Sequence, residues 1–144
     1  MGLDIGDKRI GVSISDSMNL TAQSKEVIKR TDRRQDLKII KKYIKKYQVN
    51  EIIVGLPKNM DGTLGPQAEK TKNYTNFLKN NLDLPIIFWD ERLSSREAEK
   101  LLIKADVSRS RRKGVIDQVA ASIILQGYLD FKNNQNTGGS NNEK

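Results

Sequence analysis

The chain opens with Gly2-Leu3-Asp4-Ile5-Gly6, a short apolar stretch that contains a single carboxylate. It is followed by Arg9-Ile10-Gly11-Val12-Ser13-Ile14-Ser15, in which every second residue is a large aliphatic one. Alternation with a period of two is typical of a β-strand, and Gly6-Asp7-Lys8 between the two stretches has the composition of a tight turn. The first fifteen residues therefore predict an antiparallel β-hairpin.

Asp4 lies inside the first predicted strand, where burial of an unpaired carboxylate is unfavourable. Such a group needs a cation or a proton beside it. Two interpretations follow from this position. Asp4 either anchors a divalent metal ion or caps the adjacent turn, and the hairpin alone does not distinguish between them.

Three further stretches have the composition of strands. Glu26-Val27-Ile28 extends the opening sheet, while Glu51-Ile52-Ile53-Val54-Gly55 and Pro85-Ile86-Ile87-Phe88-Trp89 are apolar on both faces. Short apolar runs of this kind are typical of buried parallel strands.

Helices are predicted between and after these strands. Thr31 or Asp32 caps a helix from Arg33 to about Tyr47, whose apolar residues are spaced three and four apart. The other predicted helices run from Pro66 to about Asn80, from a capping box at 94–97 to about Lys104, and from Val115, after Gly114, to about Phe131. This order predicts an α/β fold in which a mixed central sheet, with an N-terminal antiparallel hairpin plus parallel strands, is flanked by helices.

The composition limits the chemistry that the chain can perform. Among 144 residues there is no cysteine and no histidine, which excludes disulfides, cysteine-based zinc sites and histidine bases. Carboxylates, lysines and hydroxyls remain for acid–base or metal chemistry. The formal net charge is +8, and a compact basic domain favours a polyanionic partner such as nucleic acid.

The length and composition also predict how the chain is divided. Residues 1–132 form one domain, and residues 133–144, which are rich in Asn, Gly and other small polar residues, form a disordered polar tail. No apolar run approaches the ~20 residues of a membrane span. The chain starts directly with a strand rather than a signal peptide, so we expect a cytoplasmic protein with no membrane partner.

One face of the first predicted helix is crowded with lysines. They are Lys38, Lys41, Lys42, Lys45 and Lys46. The face is interpreted either as a solvated helix surface or as a surface that faces phosphates.

Three carboxylates occupy positions that suit a metal site: Asp4, Glu91 after the last predicted strand, and Asp117 in the first turn of the last helix. Structural interpretations exist, since Glu91 could pair with Arg92 or Arg96, and an acid is favoured at a helix N-terminus. If the fold brings the three acids together, their repulsion calls for a hard cation, Mg²⁺ or Mn²⁺. Two such ions, bound with substrate, suit in-line attack of water on a phosphodiester.

Four blocks of the sequence resemble the signature blocks of the bacterial YqgF family, also called RuvX. They occur in the family's order and span nearly the whole predicted domain: Gly2 to Val12, Val54-Gly55-Leu56-Pro57 with Met60-Asp61-Gly62-Thr63, Asp90-Glu91-Arg92-Leu93-Ser94, and Asp117-Gln118-Val119-Ala120-Ala121 with Ile124-Leu125-Gln126. The resemblance implies a ribonuclease H-like fold and a nuclease that matures the 5′ end of pre-16S ribosomal RNA. The family has also been described as a Holliday junction resolvase. Its catalytic acids match Asp4, Glu91 and Asp117.

Basic residues near these acids are predicted to contact the substrate backbone. Lys58, with the Asp61-Gly62 turn, would form one wall of the site, in a loop that is long for a strand-to-helix connection. Contacts of this type position a substrate without reading its sequence. The predicted contacts are Lys8, Arg9, Lys58, Arg92 and the basic loop with Arg109, Arg111, Arg112 and Lys113.

Two other functions compete with the ribosomal RNA nuclease. A resolvase of branched DNA needs two symmetric active sites and hence a dimer, whereas the RNA nuclease is expected to be a monomer or a weak homodimer. A non-catalytic protein that binds RNA or ribosome-assembly intermediates has no need of three repelling acids. Sugar kinases and actin-like ATPases also begin with an Asp-x-Gly hairpin, but they require a second domain, for which 144 residues leave little room, and this sequence contains no Walker-type glycine loop.

Overall fold

The computed structural model describes residues 1–59, 61–91 and 109–142, with side chains of the last helix described for residues 119–135. The elements are, in chain order, β1 (Gly2–Ile5), β2 (Arg9–Ser15), β3 (Ala22–Lys29), α1 (Arg33–Tyr47), β4 (Ile52–Leu56), α2 (Pro66–Asn81), β5 (Ile86–Asp90) and α3 (Arg109–Asn142).

The strands form one mixed sheet in the order β3-β2-β1-β4-β5. Neighbours β1 and β2, and β2 and β3, are antiparallel, whereas β1 and β4, and β4 and β5, are parallel. The predicted fold class is therefore confirmed. The carboxyl ends of β1, β4 and β5 lie at one edge of the sheet together with the start of β2, and this edge is called the carboxyl edge below.

Helices cover both faces of the sheet. On one face α1 and α2 pack on strand residues such as Leu3, Val12 and Val54 through a cluster that includes Ile40 and Leu78. On the other face α3 packs alone among the described helices, and its Ile124, Leu125 and Leu129 form a buried cluster with Ile53 of β4. The β4 strand is buried along its whole length, as its apolar sequence predicts.

Helix α1 has the predicted bounds because the sequence supplies both of its ends. The Asp32 side chain accepts a hydrogen bond from the Gln35 backbone N–H at 2.9 Å, which satisfies one of the free donors of the first turn. At the other end Gln48 adopts a left-handed conformation with φ of 52°, and its N–H donates to the Ile44 carbonyl.

Other boundaries differ from the predictions. Strand β3 is longer than residues 26–28, since it begins at Ala22, and α3 begins at Arg109 rather than near Val115. The stretch 109–113, predicted to be a basic loop, is therefore helical, because a basic run and a single glycine do not prevent helix formation. Helical backbone also continues through 133–142, past the predicted end at Phe131, and the separate character of the tail 133–144 stays a prediction. The helix predicted over residues 94–104 lies outside the described residues.

Within the described ranges, no helix combines the length and apolar character that a membrane crossing requires.

Candidate active site

Two of the predicted acids meet at the carboxyl edge. In the sheet register Leu3 pairs with Val54, so Asp4 is level with Gly55 of the neighbouring strand. Gly55 in turn pairs with Trp89 of β5, and Glu91 follows β5 directly. Because side chains alternate between the faces of a sheet, Asp4, Gly55 and Trp89 belong to the face that α3 covers.

A hydrogen bond joins the carboxyl groups of Asp4 and Glu91. Burial is the largest of the causes that together raise the pKa of Glu91 to about 8, and it is followed by the negative charge of Asp4, the hydrogen bond to Asp4 and the charge of Asp90. At neutral pH the protonated Glu91 carboxyl thus donates to the Asp4 carboxylate. The two acids therefore share one proton, and this proton relieves the repulsion between them that a bound cation would otherwise neutralise.

This shared proton predicts how stability depends on pH in metal-free protein. Glu91 titrates near 4.5 when it is unperturbed, so between that pH and about 8 the folded protein keeps a proton that the unfolded chain has lost. The free energy of unfolding should fall across this window, by an amount on the order of 4 kcal/mol. Glu91→Gln should remove this contribution and be more stable than the native protein at pH 8, as measured by urea unfolding in EDTA. The exposed Glu69→Gln is the control, and an unchanged pH profile in Glu91→Gln would contradict the prediction.

Gly55 is what allows the two acids to meet across an intervening strand. Strands β1 and β5 are both neighbours of β4, so Asp4 and Glu91 must reach each other over Gly55. A Cβ atom at position 55 would overlap the end of the Ile124 side chain, and it would lie 3.2 Å from Glu91 Cγ. The sequence analysis did not identify this role, although Gly55 is the only residue without a side chain in an otherwise bulky β4.

Gly55→Ala should consequently lower both stability and activity. The added methyl group displaces Ile124, which is 1% exposed, at a cost of about 1–3 kcal/mol, and it also pushes on Glu91. Urea unfolding of Gly55→Ala, Ile124→Val and the double variant tests this. Because Ile124→Val removes the overlapping atom, the double variant should be more stable than the sum of the two single losses predicts, and strict additivity would argue against the steric explanation.

Helix α3 approaches the sheet closely beside Asp4. The Ser13 hydroxyl, which is fully buried, donates to the Ala121 carbonyl at 2.7 Å. A Cβ atom at Gly11 would lie 3.3 Å from Ala121 Cβ and 3.6 Å from Asp4 Cβ. Small residues on both elements therefore bring the α3 backbone near the first strand, as the Ala120-Ala121-Ser122 run suggests.

Asp117 lies in α3 four residues before Ala121, and its side chain is outside the described part of the structure. Within the described residues, the acids at the carboxyl edge form a pair and no group of three metal-binding side chains occurs. The predicted participation of Asp117 therefore stays a prediction.

A buried ionic network supports the turn that follows Asp4. The Arg30 guanidinium donates to the Gly6 carbonyl at 2.6 Å, and the Arg30 backbone N–H donates to the Lys8 carbonyl at 2.9 Å. Arg30 also pairs with Asp36 of α1, whose carboxylate is 3.8 Å from Arg30 Nε and accepts from the Tyr74 hydroxyl at 3.1 Å. Sequence reasoning missed this network, because Asp36 looks like an ordinary polar residue near the start of an amphipathic helix.

The described residues of the loop after β4, at the carboxyl edge, pair with each other as in a hairpin. Lys58 forms a bridge with Leu64, and the Asn59 N–H donates to the Thr63 carbonyl at 2.9 Å. The turn predicted at Asp61-Gly62 is present, since Gly62 has φ of 89°, a value that favours glycine. Lys58 follows the carboxyl end of β4 by two residues, and its part in a wall of the site stays a prediction.

The structure describes the positions of some, but not all, of the other residues predicted to contact the substrate. Lys8 and Arg9 are exposed at the β1–β2 turn, on the carboxyl edge near Asp4. Arg92 lies outside the described residues. The basic residues of α3 lie in its first turns, and their side chains are outside the described part: Arg109, Arg111, Arg112 and Lys113.

Comparison with known proteins identifies the family. Residues 1–131 match the family model of RuvX, described as a Holliday junction resolvase. Relatives named "Putative pre-16S rRNA nuclease" include one from Halothermothrix orenii, 64% identical over 92% of this chain and 95% of its own length, and one from Clostridioides difficile, 57% identical over 93% and 95%. The crystal structure of the fowlpox virus Holliday junction resolvase superposes with a TM-score of 0.47 and 14% identity, over 90% of this chain and 96% of that one. The family expected from the four sequence blocks is confirmed, and the chain belongs to the RuvX family.

Proposed function

We propose that this protein is a metal-dependent nuclease that hydrolyses phosphodiester bonds during 5′-end processing of pre-16S ribosomal RNA. The observation that carries the proposal is the Asp4–Glu91 pair, in which two carboxyl groups are held together across Gly55 although this raises the pKa of Glu91. A structural role does not explain such a pair, because two neighbouring acids that must share a proton destabilise the fold above the pKa of that proton.

The donor set of this pair suits Mg²⁺ or Mn²⁺. Both groups are carboxylates, and hard divalent ions prefer oxygen ligands. We propose that Asp4 and Glu91 hold the metal together with Asp117, which lies one helical turn before Ala121, the residue that packs on Gly11, the sheet partner of Asp4. Bound divalent ions supply an activated water and stabilise the charge that develops on the scissile phosphate.

Basic side chains at the carboxyl edge complete the proposed site. Lys8 and Arg9 are exposed in the β1–β2 turn and the half-buried Lys58 follows β4, and all three are proposed to hold phosphate oxygens. Such contacts orient the backbone for hydrolysis and carry no base specificity. The predicted contributions of Arg92 and of the basic start of α3 belong to the same proposal.

Ribosomal RNA is favoured as substrate by the names of the relatives, which match this chain over nearly their whole length. A resolvase of four-way DNA junctions is the second candidate, because the family description names that activity. A cytoplasmic location and a monomeric or weakly dimeric state are part of the first proposal.

Cleavage assays on both substrates decide between these functions. Purified protein is incubated with a 5′-extended 16S precursor RNA fragment and, separately, with a four-way DNA junction, each in Mg²⁺, Mn²⁺ or EDTA, with Asp4→Asn as the inactive control. Metal-dependent cutting of the RNA alone supports the proposal, and cutting of the junction alone transfers the function to recombination. If neither substrate is cut and both proteins bind equally well, a non-catalytic binding role becomes the better account.

A further inference from the structure

Helix α1 exposes a basic surface that the proposed active site does not use. All seven of its Lys and Arg side chains are exposed, whereas its one acid, Asp36, is 1% exposed and bound within the Arg30 network. Arg33 lies over the rings of Tyr74 and Phe77 of α2. The other six form the surface called the α1 basic face, which consists of Arg34, Lys38, Lys41, Lys42, Lys45 and Lys46.

The arrangement of these charges is unfavourable for the isolated helix. Lys38, Lys42 and Lys46 follow each other at intervals of four residues, and like charges at this spacing destabilise a helix. None of the five α1 lysines forms an ion pair with an acid in the described part of the chain. The helix is held on the sheet by its opposite side, through Leu37 and Ile40, so packing does not require the charges.

Two stacked tyrosines lie at the end of the α1 basic face that is farthest from the acids. The rings of Tyr43 and Tyr47 are stacked with centroids 6.0 Å apart and an interplanar angle of 11°. Lys46 and Lys25 place their ammonium groups 5.3 and 5.2 Å from the Tyr47 ring centroid, as in cation–π contacts. The open groove between α1 and β3 is lined by Lys25, Glu26, Ile39, Lys42, Tyr43, Lys46 and Tyr47.

Glu26, the acid that lines this groove, forms no ion pair with a lysine in the described part of the chain. Glu26 accepts a hydrogen bond from the Tyr43 hydroxyl, and this contact, with burial, raises the pKa of Tyr43 so that the hydroxyl stays protonated. Lys25, Lys42 and Lys46 are left as three exposed cations around an aromatic floor. They are called the groove lysines below.

The α1 basic face begins at the carboxyl edge and leads away from it, on the face of the sheet opposite to the one that carries the acids. Arg30, three residues before α1, bonds to Gly6 and Lys8 at the carboxyl edge. From Arg33 to Tyr47 the helix rises about 20 Å. A nucleic acid strand bound at the acids would therefore pass around the carboxyl edge, past the β1–β2 turn, and continue along α1 to the groove lysines.

We propose that the α1 basic face, together with Lys25, is a second contact surface for the phosphate backbone of the substrate RNA. It binds RNA that extends beyond the active site and adds affinity without base specificity. The choice of RNA as ligand rests on the proposed function. The positive charge, its lack of acidic partners and its continuity with the carboxyl edge are independent of that function.

Binding of two RNA lengths tests the proposal. In an Asp4→Asn background, fluorescence anisotropy is measured with an RNA of about 6 nucleotides, which covers the acids only, and with one of about 24, which reaches the groove lysines. Changing all three groove lysines to Gln should weaken binding of the long RNA about tenfold or more and reduce the slope of log K against log salt by about 2 to 3. Binding of the short RNA should stay within about twofold.

The matched control is a triple variant with the same loss of charge elsewhere, Lys72→Gln, Lys79→Gln and Lys132→Gln. If the groove variant loses no more affinity for long RNA than this control, or if it loses as much for the short RNA, the proposal is wrong. Cleavage of the short RNA by otherwise native protein separates the two hypotheses. Absence of that cleavage counts against the proposed function, while the binding comparison still decides whether the second surface exists.

Discussion

Asp4→Asn is expected to reduce metal-dependent cleavage by at least about 10³-fold, which corresponds to ~4 kcal/mol of lost transition-state stabilisation. The amide keeps the size of the carboxyl group but lacks the negative charge that the proposed metal ion requires. Initial rates of cleavage at saturating Mg²⁺ measure the effect. A variant that retains more than about a tenth of the native rate would remove Asp4 from the proposed site.

The same substitution should leave the fold intact, which separates a catalytic from a structural effect. An amide at position 4 can still accept a hydrogen bond from the Glu91 carboxyl, and it relieves the repulsion that raises the pKa of Glu91. Metal-free Asp4→Asn should therefore be at least as stable as the native protein in urea unfolding. Asp7→Asn is the control, because Asp7 is exposed and its ion pair with Lys70, at 3.5 Å, joins two exposed side chains. That variant should cleave at a near-native rate.

Asp36→Ala is expected to destabilise the protein by about 3–5 kcal/mol, because it leaves the Arg30 guanidinium partly buried without its carboxylate partner. The Tyr74 hydroxyl and the Thr31 backbone N–H, which also donate to this carboxylate, lose their acceptor as well. Thermal unfolding should show the loss as a decrease in Tm of about 10 °C or more.

Asp32→Ala provides the comparison for that loss, since Asp32 is an exposed helix cap four residues away and its removal should cost about 1 kcal/mol. Equal losses in the two variants would mean that the buried network contributes nothing beyond helix capping. Because Arg30 holds the Gly6 carbonyl, Asp36→Ala should also lower the cleavage rate at temperatures where it remains folded.

The sequence was sufficient for those elements whose signals are local. The hairpin at residues 2–15 and helix α1 were predicted because alternation, turn residues and the Asp32 cap all lie within them. The start of β3 was missed, because Gln23, Ser24 and Lys25 in an exposed edge strand show no apolar alternation. The start of α3 was missed because Arg109 to Lys113 has no apolar stripe and is followed by Gly114.

The sequence indicates the acids of the candidate site but not the residues that position these acids. A carboxylate inside a strand and another at a strand end are visible in the sequence. The structure places Asp4 and Glu91 in contact, while their catalytic role stays a prediction. The function of Gly55 depends on which strand lies between two others, and the contact of Arg30 with Gly6 depends on how a turn meets a helix. Such long-range relations have no periodic signal along the chain.

The packing of α3 on the first hairpin has a consequence for how the protein is made. Ser13 bonds to Ala121, and Gln126 bonds to Leu20 and Ala22, across separations of 104 to 108 residues. Contacts between such distant segments form late and slow folding. A nascent chain on the ribosome consequently exposes the α3-facing side of its sheet until the segment around residue 130 has emerged, and before then it carries an incomplete core that is prone to association. Synthesis of the final helix is the event that closes this surface.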